Sequence, residues 1–113
     1  MKRIILTCGF ILVSACASNG VISKSMAIQP GMSRADVVEV LGAPQNRSFK
    51  EDAEALQYCT TGAMSDQYVN VWLVDGEVIA LTNYTDETGF LCSGDMREID
   101  WGQAPADIRI AIE

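Results

Sequence analysis

The 113-residue chain contains no histidine. That absence removes Ser-His and Cys-His nucleophilic catalysis and the commonest metal ligand. Cations are scarce, eight Lys and Arg against fifteen Asp and Glu, for a formal charge of −7. With no basic cluster either, the chain lacks the electrostatic footprint that nucleic acid requires. There is no Cys-x-x-Cys pair, no Ser-x-x-Lys spacing, no internal repeat and no low-complexity segment. The apolar run from Ile4 to Val13, already broken by Thr7, Cys8 and Gly9, is too short for a membrane-spanning helix.

What is present begins with the flanks of that run. Lys2 and Arg3 precede it, and Val13-Ser14-Ala15-Cys16 closes it. A positive start, an apolar stretch and small residues before a cysteine resemble the bacterial lipobox, whose cysteine is diacylated and becomes the first residue of the mature chain. Residues 1–15 are therefore expected to be a lipoprotein signal peptide, with palmitate-type acylation at Cys16. The alternative is an ordinary secretory signal cut after Ala15 or Ala17. Without residues 1–15 the chain has 98 residues, enough for one small domain, and its eight basic residues fall to six. So acidic a surface is repelled by anionic head groups, which leaves acyl chains at Cys16 as the expected membrane anchor.

The address constrains the other cysteines. Cys8 leaves with the signal and Cys16 takes the lipid, so Cys59 and Cys92 remain as a pair in an oxidising compartment. The expectation is a disulfide, with two free thiols or a metal pair as the weaker alternatives. Closing a loop of this length is worth about 3–4 kcal/mol in the chain-entropy picture.

Residues 16–29 read as a lipidated tether in which Val21 to Ile28 has room for one or two helical turns. The strongest local signal follows, Pro30-Gly31-Met32-Ser33-Arg34-Ala35-Asp36-Val37-Val38-Glu39-Val40-Leu41-Gly42-Ala43-Pro44. Ser33 suits the N-cap, and Asp36 stands where a capping box has its acid. Met32 and Val37 form a staple. Val37, Val40 and Leu41 share a face, Gly42 supplies the left-handed end and Pro44 stops the helix. Strands are expected at Glu54 to Cys59, Tyr68 to Val74 and Glu77 to Asn83, the last two joined by an Asp75-Gly76 hairpin turn. That turn sets Val74 opposite Glu77, Leu73 opposite Val78 and Trp72 opposite Ile79. One face then carries Val69, Val71, Leu73, Val78 and Ala80 and takes the helix. The other carries Tyr68, Asn70, Trp72, Val74, Ile79, Leu81 and Asn83 and needs a cover. The alternating Ile108, Ile110 and Ile112 suggest a last short strand in the tail that provides it.

The run Pro30-Gly31-Met32-Ser33, Val37, Leu41-Gly42 and Pro44, with the aromatic strand near Tyr58 and the hairpin through Val71 to Gly76, resembles the SmpA/OmlA (BamE-like) lipoproteins over roughly residues 28–84. The resemblance implies an α+β domain over residues 30–113, with a short N-terminal helix or helices on a three- to four-stranded antiparallel sheet. It also implies a lipid-anchored protein of the outer membrane that faces the periplasm and serves β-barrel assembly by binding partners and phosphatidylglycerol. The Cys59/Cys92 pair, the extension from Asp95 to Glu113 and the acidity depart from the family pattern.

Little else carries chemistry. The acidic pairs Glu51-Asp52, Asp86-Glu87 and Asp95/Glu98 sit in polar stretches that favour a solvated role over acid–base work or calcium binding. Neither metal nor cofactor is expected. Tyr68, Trp72, Tyr84, Phe90 and Trp101 are candidates for a partner-binding patch, against the plainer reading that Trp72 packs under the chain's own tail. The expected function is a non-catalytic binding or scaffolding module of the cell envelope. The rival is an acidic inhibitor of a periplasmic or extracellular enzyme such as lysozyme. Carriage of a large lipid is disfavoured by the short chain.

Overall fold

The computed structural model describes residues 20–62, 65–87, 92 and 96–111. Cys16 and the signal peptide, and also Phe90, Asp95 and Ile112, lie outside the described residues. The fold is α+β. Helix α1 (Val21–Lys24) runs into a 3₁₀ turn (Ser25–Ala27). Helix α2 (Arg34–Leu41) follows, then strands β1 (Asn46–Lys50), β2 (Ala53–Thr61), β3 (Asp66–Val74) and β4 (Glu77–Asp86). A 3₁₀ turn (Trp101–Gln103) and helix α3 (Ala106–Ala111) close the chain. The strands form one antiparallel meander in the order β1-β2-β3-β4. No helix among the described residues is long and apolar enough to cross a membrane.

Helix α2 starts where its capping residues place it. Ser33 Oγ accepts from the Asp36 amide at 3.1 Å while the Ser33 amide donates to Asp36 Oδ2 at 3.0 Å, so the shorter aspartate closes the box. Gly42 ends the helix at φ 85°, a conformation that disfavours any side chain. Val37 is fully buried and Leu41 packs against the same cluster, but Val40 is 37% exposed. The expected three-residue stripe is thus corrected to two residues four apart, all that so short a helix turns toward the sheet. Arg34 Nε reaches Glu54 Oε2 on β2 at 3.1 Å, and Arg47 from β1 meets the same oxygen at 3.0 Å, fastening the helix to the sheet margin.

The segment before α2 has a second task. Gly31 N–H donates to Val78 O at 2.8 Å and Val78 N–H to Met32 O at 2.8 Å, with a bridge between Ser33 and Glu77. The Pro-Gly-Met-Ser run therefore pairs with the start of β4 as well as opening the helix, which shields part of an edge strand.

Four expectations are corrected. The tether stops short of residue 29. Val21 is buried in the core, Ser25 is 3% exposed, and the Val21 amide donates to Thr60 Oγ1 at 2.9 Å, so the chain has joined the fold by Val21. Strand β1 was unforeseen because Asn-Arg-Ser-Phe-Lys has one apolar residue. An edge strand needs no apolar alternation, and its charges suit an edge. The hairpin holds Val74 opposite Glu77 and Leu73 opposite Val78, but Trp72 pairs with Ala80 instead of Ile79 because the register shifts there. This bulge sends Ile79 and Ala80 to one face and Leu81 to the other, reversing the expected sides of Ala80 and Leu81. Finally, residues 106–111 are helical. Ala104 and Ile108, four apart, are the buried pair, while Ile110 is 68% exposed, so the alternating isoleucines do not make a strand.

Two cores result. Under the N-terminal helices lie Leu56, Tyr58, Val69, Val71, Leu73 and Val78 with Val21 and Val37. On the opposite face Ala53, Ala55 and Trp72 pack under Ala104 and Ile108, joined by Ile99 and Trp101. The tail is the cover that this face required. The Cys59–Cys92 disulfide, Cα atoms 6.0 Å apart, ties the end of β2 to the chain beyond β4.

Candidate binding cleft

The tail covers one half of its sheet face more closely than the other. Over the first half, Trp101 meets Trp72 edge to face at 5.2 Å and donates its Nε1–H to Ser48 Oγ at 3.0 Å. Trp72 in turn donates to Thr82 Oγ1 at 2.9 Å and is 1% exposed. Over the second half the described residues leave the face open. Asn70, Trp72, Thr82, Tyr84, Arg97 and Asp100 are among the residues lining a cleft of about 810 Å³ that is open to solvent.

Each wall has a local cause. Tyr68 and Tyr84 are opposite each other on β3 and β4 and stack nearly parallel, rings 4.8 Å apart. The Tyr68 hydroxyl accepts from the Arg97 amide at 3.3 Å, and Arg97 Nε–H donates to Asp86 Oδ2 at 2.6 Å, which fixes where the tail leaves the sheet. Asp100 Oδ1 caps the second 3₁₀ turn through the Gly102 amide at 2.9 Å. Burial raises the Tyr84 phenol above its ordinary range, with Tyr68 adding to the rise and Arg97 opposing it.

The cleft is acidic. Among the described residues Asp86, Glu87, Glu98 and Asp100 line it against the single cation Arg97. At its base Asn70 is only 7% exposed, and its Oδ1 has no hydrogen-bond partner among the described residues. Its cross-strand neighbour Gln57 is fully buried, with Nε2 likewise without a partner. A buried amide oxygen without a donor and a buried amide nitrogen without an acceptor are both costly, and these two belong to residues paired across β2 and β3.

The candidate aromatic patch is therefore redistributed, and the plainer reading of Trp72 holds, since it packs under the chain's own tail. Tyr68 and Trp72 are each 1% exposed, Tyr68 behind the cleft and Trp72 among its lining residues; this corrects their reading as open contact residues. Trp101 is half-buried and pins the tail. Of the five, Tyr84 is the half-buried aromatic on the cleft wall, while Phe90 lies outside the described residues. Asn70, Thr82, Arg97 and Gln103 were not singled out by sequence. The one legible signal was Asn70 itself, a polar residue between Val69 and Val71 in an otherwise apolar strand.

The other expected sites are placed as follows. Pro30, Gly31, Met32, Ser33, Val37, Leu41, Gly42 and Pro44 shape α2 and its junctions on the opposite side of the sheet. Cys59, Cys92 and Asp66 place their ligating atoms within 4.8 Å of one another, but both sulfurs are committed to the disulfide and offer no thiolate. A smaller cleft of about 460 Å³ beside the disulfide is lined by Gln45, Cys59, Thr61, Cys92 and Met96. There the Gln45 side-chain amide exchanges hydrogen bonds with the backbone of Cys59 at 2.6 and 3.0 Å.

No protein-family model, curated protein or solved structure matches this chain.

Proposed function

We propose that the chain is a lipid-anchored protein of the outer membrane, facing the periplasm, that acts by holding a partner protein and not by catalysis. The observation that carries this reading is the open cleft beside the tail, with an aromatic wall and a surplus of carboxylates among the described residues. Such a mixture of one apolar ring and a few fixed polar groups suits recognition. The lipobox-like Cys16 and the SmpA/OmlA-like run from Pro30 to Pro44 favour an envelope setting and a partner in β-barrel assembly. The absence of histidine from the chain, and of cysteine, serine and lysine among the described cleft residues, favours a binding role over chemistry.

Crosslinking in intact cells, followed by recovery of the protein and mass spectrometry, tests this. Recovery of β-barrel assembly components supports it, and a chain without partners under all solubilisation conditions overturns it. The acidity of the cleft also favours the rival reading, inhibition of a basic enzyme. Lysozyme turbidity assays with the purified protein decide that version, and undiminished lysis eliminates it.

A further inference from the structure

We propose that the outer side of α1 and of the 3₁₀ turn after it, carried by Ser23, Lys24, Met26 and Ala27, rests on the surface of the bilayer. Met26 enters the head-group boundary, and the cleft on the other face of the sheet opens away from the membrane. This rests on the lipid-anchor reading above and names the face that the anchor turns toward the lipid.

The anchor has little slack. The Val21 amide is held by Thr60 Oγ1 at 2.9 Å and the Lys24 amide by Gly20 O at 3.2 Å. Gly20 lies so close to the Gln67 side chain that a Cβ there would strike it. The chain is therefore fixed from Gly20 onward. Cys16 stands four residues earlier, at most about 14 Å of fully extended backbone. A helix with its side chains is about 10–12 Å across, so a lipid at Cys16 keeps α1 within roughly its own width of the bilayer. Val21 and Ser25, four apart, are buried beneath α1, which leaves Met26 on the outside at 81% exposure, the highest of the large hydrophobic side chains among the described residues. A thioether chain held at that height loses water and gains apolar contact at the head-group boundary.

Charge selects the same side. All fifteen Asp and Glu follow Ala35, and between Cys16 and Ala35 the charged residues are Lys24 and Arg34. The α1 segment is thus the part of an acidic domain that anionic head groups do not repel, and the exposed Lys24 ammonium can donate to phosphate oxygens. Carboxylates mark the limits of the contact. Asp36 and Glu39 are exposed on α2, and Glu77, also exposed, bridges to Ser33. Standing the domain on the sheet end where Thr61, Asp66 and Asp86 lie level would bring the exposed Glu87 to the head groups.

The test uses the protein as the cell processes it, purified from membranes and reconstituted on phosphatidylcholine vesicles that carry a trace of lipid with a head-group nitroxide. Met26→Cys, Gln103→Cys and Ile110→Cys each add one thiol for an environment-sensitive fluorophore, at three exposed positions, the last two on the tail side of the sheet. Cys59 and Cys92 are bridged and do not compete for the label. Flotation of the vesicles reports anchoring, and quenching by the nitroxide reports which face is turned down. The expected result is that all three variants float and melt with the wild type, and that the label at position 26 is quenched about threefold more than those at 103 and 110.

Flotation with equal quenching at the three positions would overturn the proposed face and leave the lipid anchor standing. Stronger quenching at 103 or 110 would do the same, because the tail side would then be the one against the bilayer. Quenching at 26 that appears only after phosphatidylglycerol is added would mean a head-group site in place of a bilayer contact, and the proposal would fall. Failure to float would overturn the anchor and the face together.

Discussion

The hydroxyl of Tyr58 donates to the carbonyl oxygen of Gly42 at 2.8 Å. One residue is on the second strand and the other closes helix α2, so this bond joins the two layers where the helix has run out of internal partners. It also shields one of the carbonyls that a helix end leaves open. Tyr58 is 2% exposed, and burial pushes its phenol up to about 12 from 10, with Arg34 opposing the rise.

The pH dependence follows in sign and range. A phenol whose pKa is raised by folding keeps its proton longer in the native state than in the unfolded one. Its contribution is complete below pH 10, where both states are neutral, and is lost as pH rises from 10 to 12. At about 1.4 kcal/mol for each pKa unit, the loss is about 2–3 kcal/mol. Urea titrations from pH 9 to 12 should show wild type losing this much more stability than Tyr58→Phe. Parallel slopes for the two proteins would refute the assignment. At pH 7 the same substitution should cost about 1 kcal/mol for the lost hydrogen bond.

The tail gives a sharper mutational contrast. Ile108 is fully buried beneath the sheet, whereas Ile110, two residues on, is 68% exposed. Ile108→Ala should destabilise by about 2–4 kcal/mol and Ile110→Ala by no more than about 0.5 kcal/mol. A strand in the same place would put both side chains on one face and make the two losses similar. Chemical denaturation of the pair settles which periodicity the tail follows.

Replacing Cys59 and Cys92 together by serine opens a loop of 33 residues. The chain-entropy contribution is about 3–4 kcal/mol, a large share of the stability of so small a domain. The double variant should melt well below the oxidised protein, and reducing agent should shift only the wild type. Equal melting temperatures would show that the bridge constrains little.

These contrasts also show which parts of the fold the chain announces. Helix α2 is written locally, since Ser33, Asp36 and Gly42 act through neighbours within a few residues and their roles can be read by position alone. The Asp75-Gly76 turn is equally local, with both residues at positive φ, 52° and 81°. The bulge opposite Trp72 is different. It depends on how two strands accommodate bulky side chains across the sheet, and no residue near Ile79 marks it. Strand β1 is invisible to apolar periodicity because it borrows its place from β2. The cleft lay furthest from view. Asn70 is a polar residue in an apolar strand, the one local signal the chain carries, while Arg97 and Asp100 come to the cleft from nearly thirty residues away, by a route that the Tyr68 hydroxyl and the Trp72–Trp101 contact define.

Trp101 therefore couples stability to the cleft. Its ring rests edge-on against Trp72 at 5.2 Å, its Nε1–H is held by Ser48, and the Lys50 ammonium lies 5.7 Å above the ring. Because it is half-buried, Trp101→Ala should cost somewhat less than a fully enclosed tryptophan, about 2–4 kcal/mol, and Trp101→Phe about 1 kcal/mol for the lost Ser48 bond. The larger consequence is local. Arg97, Glu98, Asp100 and Gln103 reach the cleft on the segment that Trp101 pins, so releasing the ring should loosen that wall before the sheet melts. Amide hydrogen exchange is the measurement. In Trp101→Ala the backbone of residues 97–108 should exchange much faster while β2 and β3 keep their protection apart from the global loss. Uniform acceleration across the whole chain would mean that the tail and the sheet unfold as one unit, and that the cleft cannot open independently of the core.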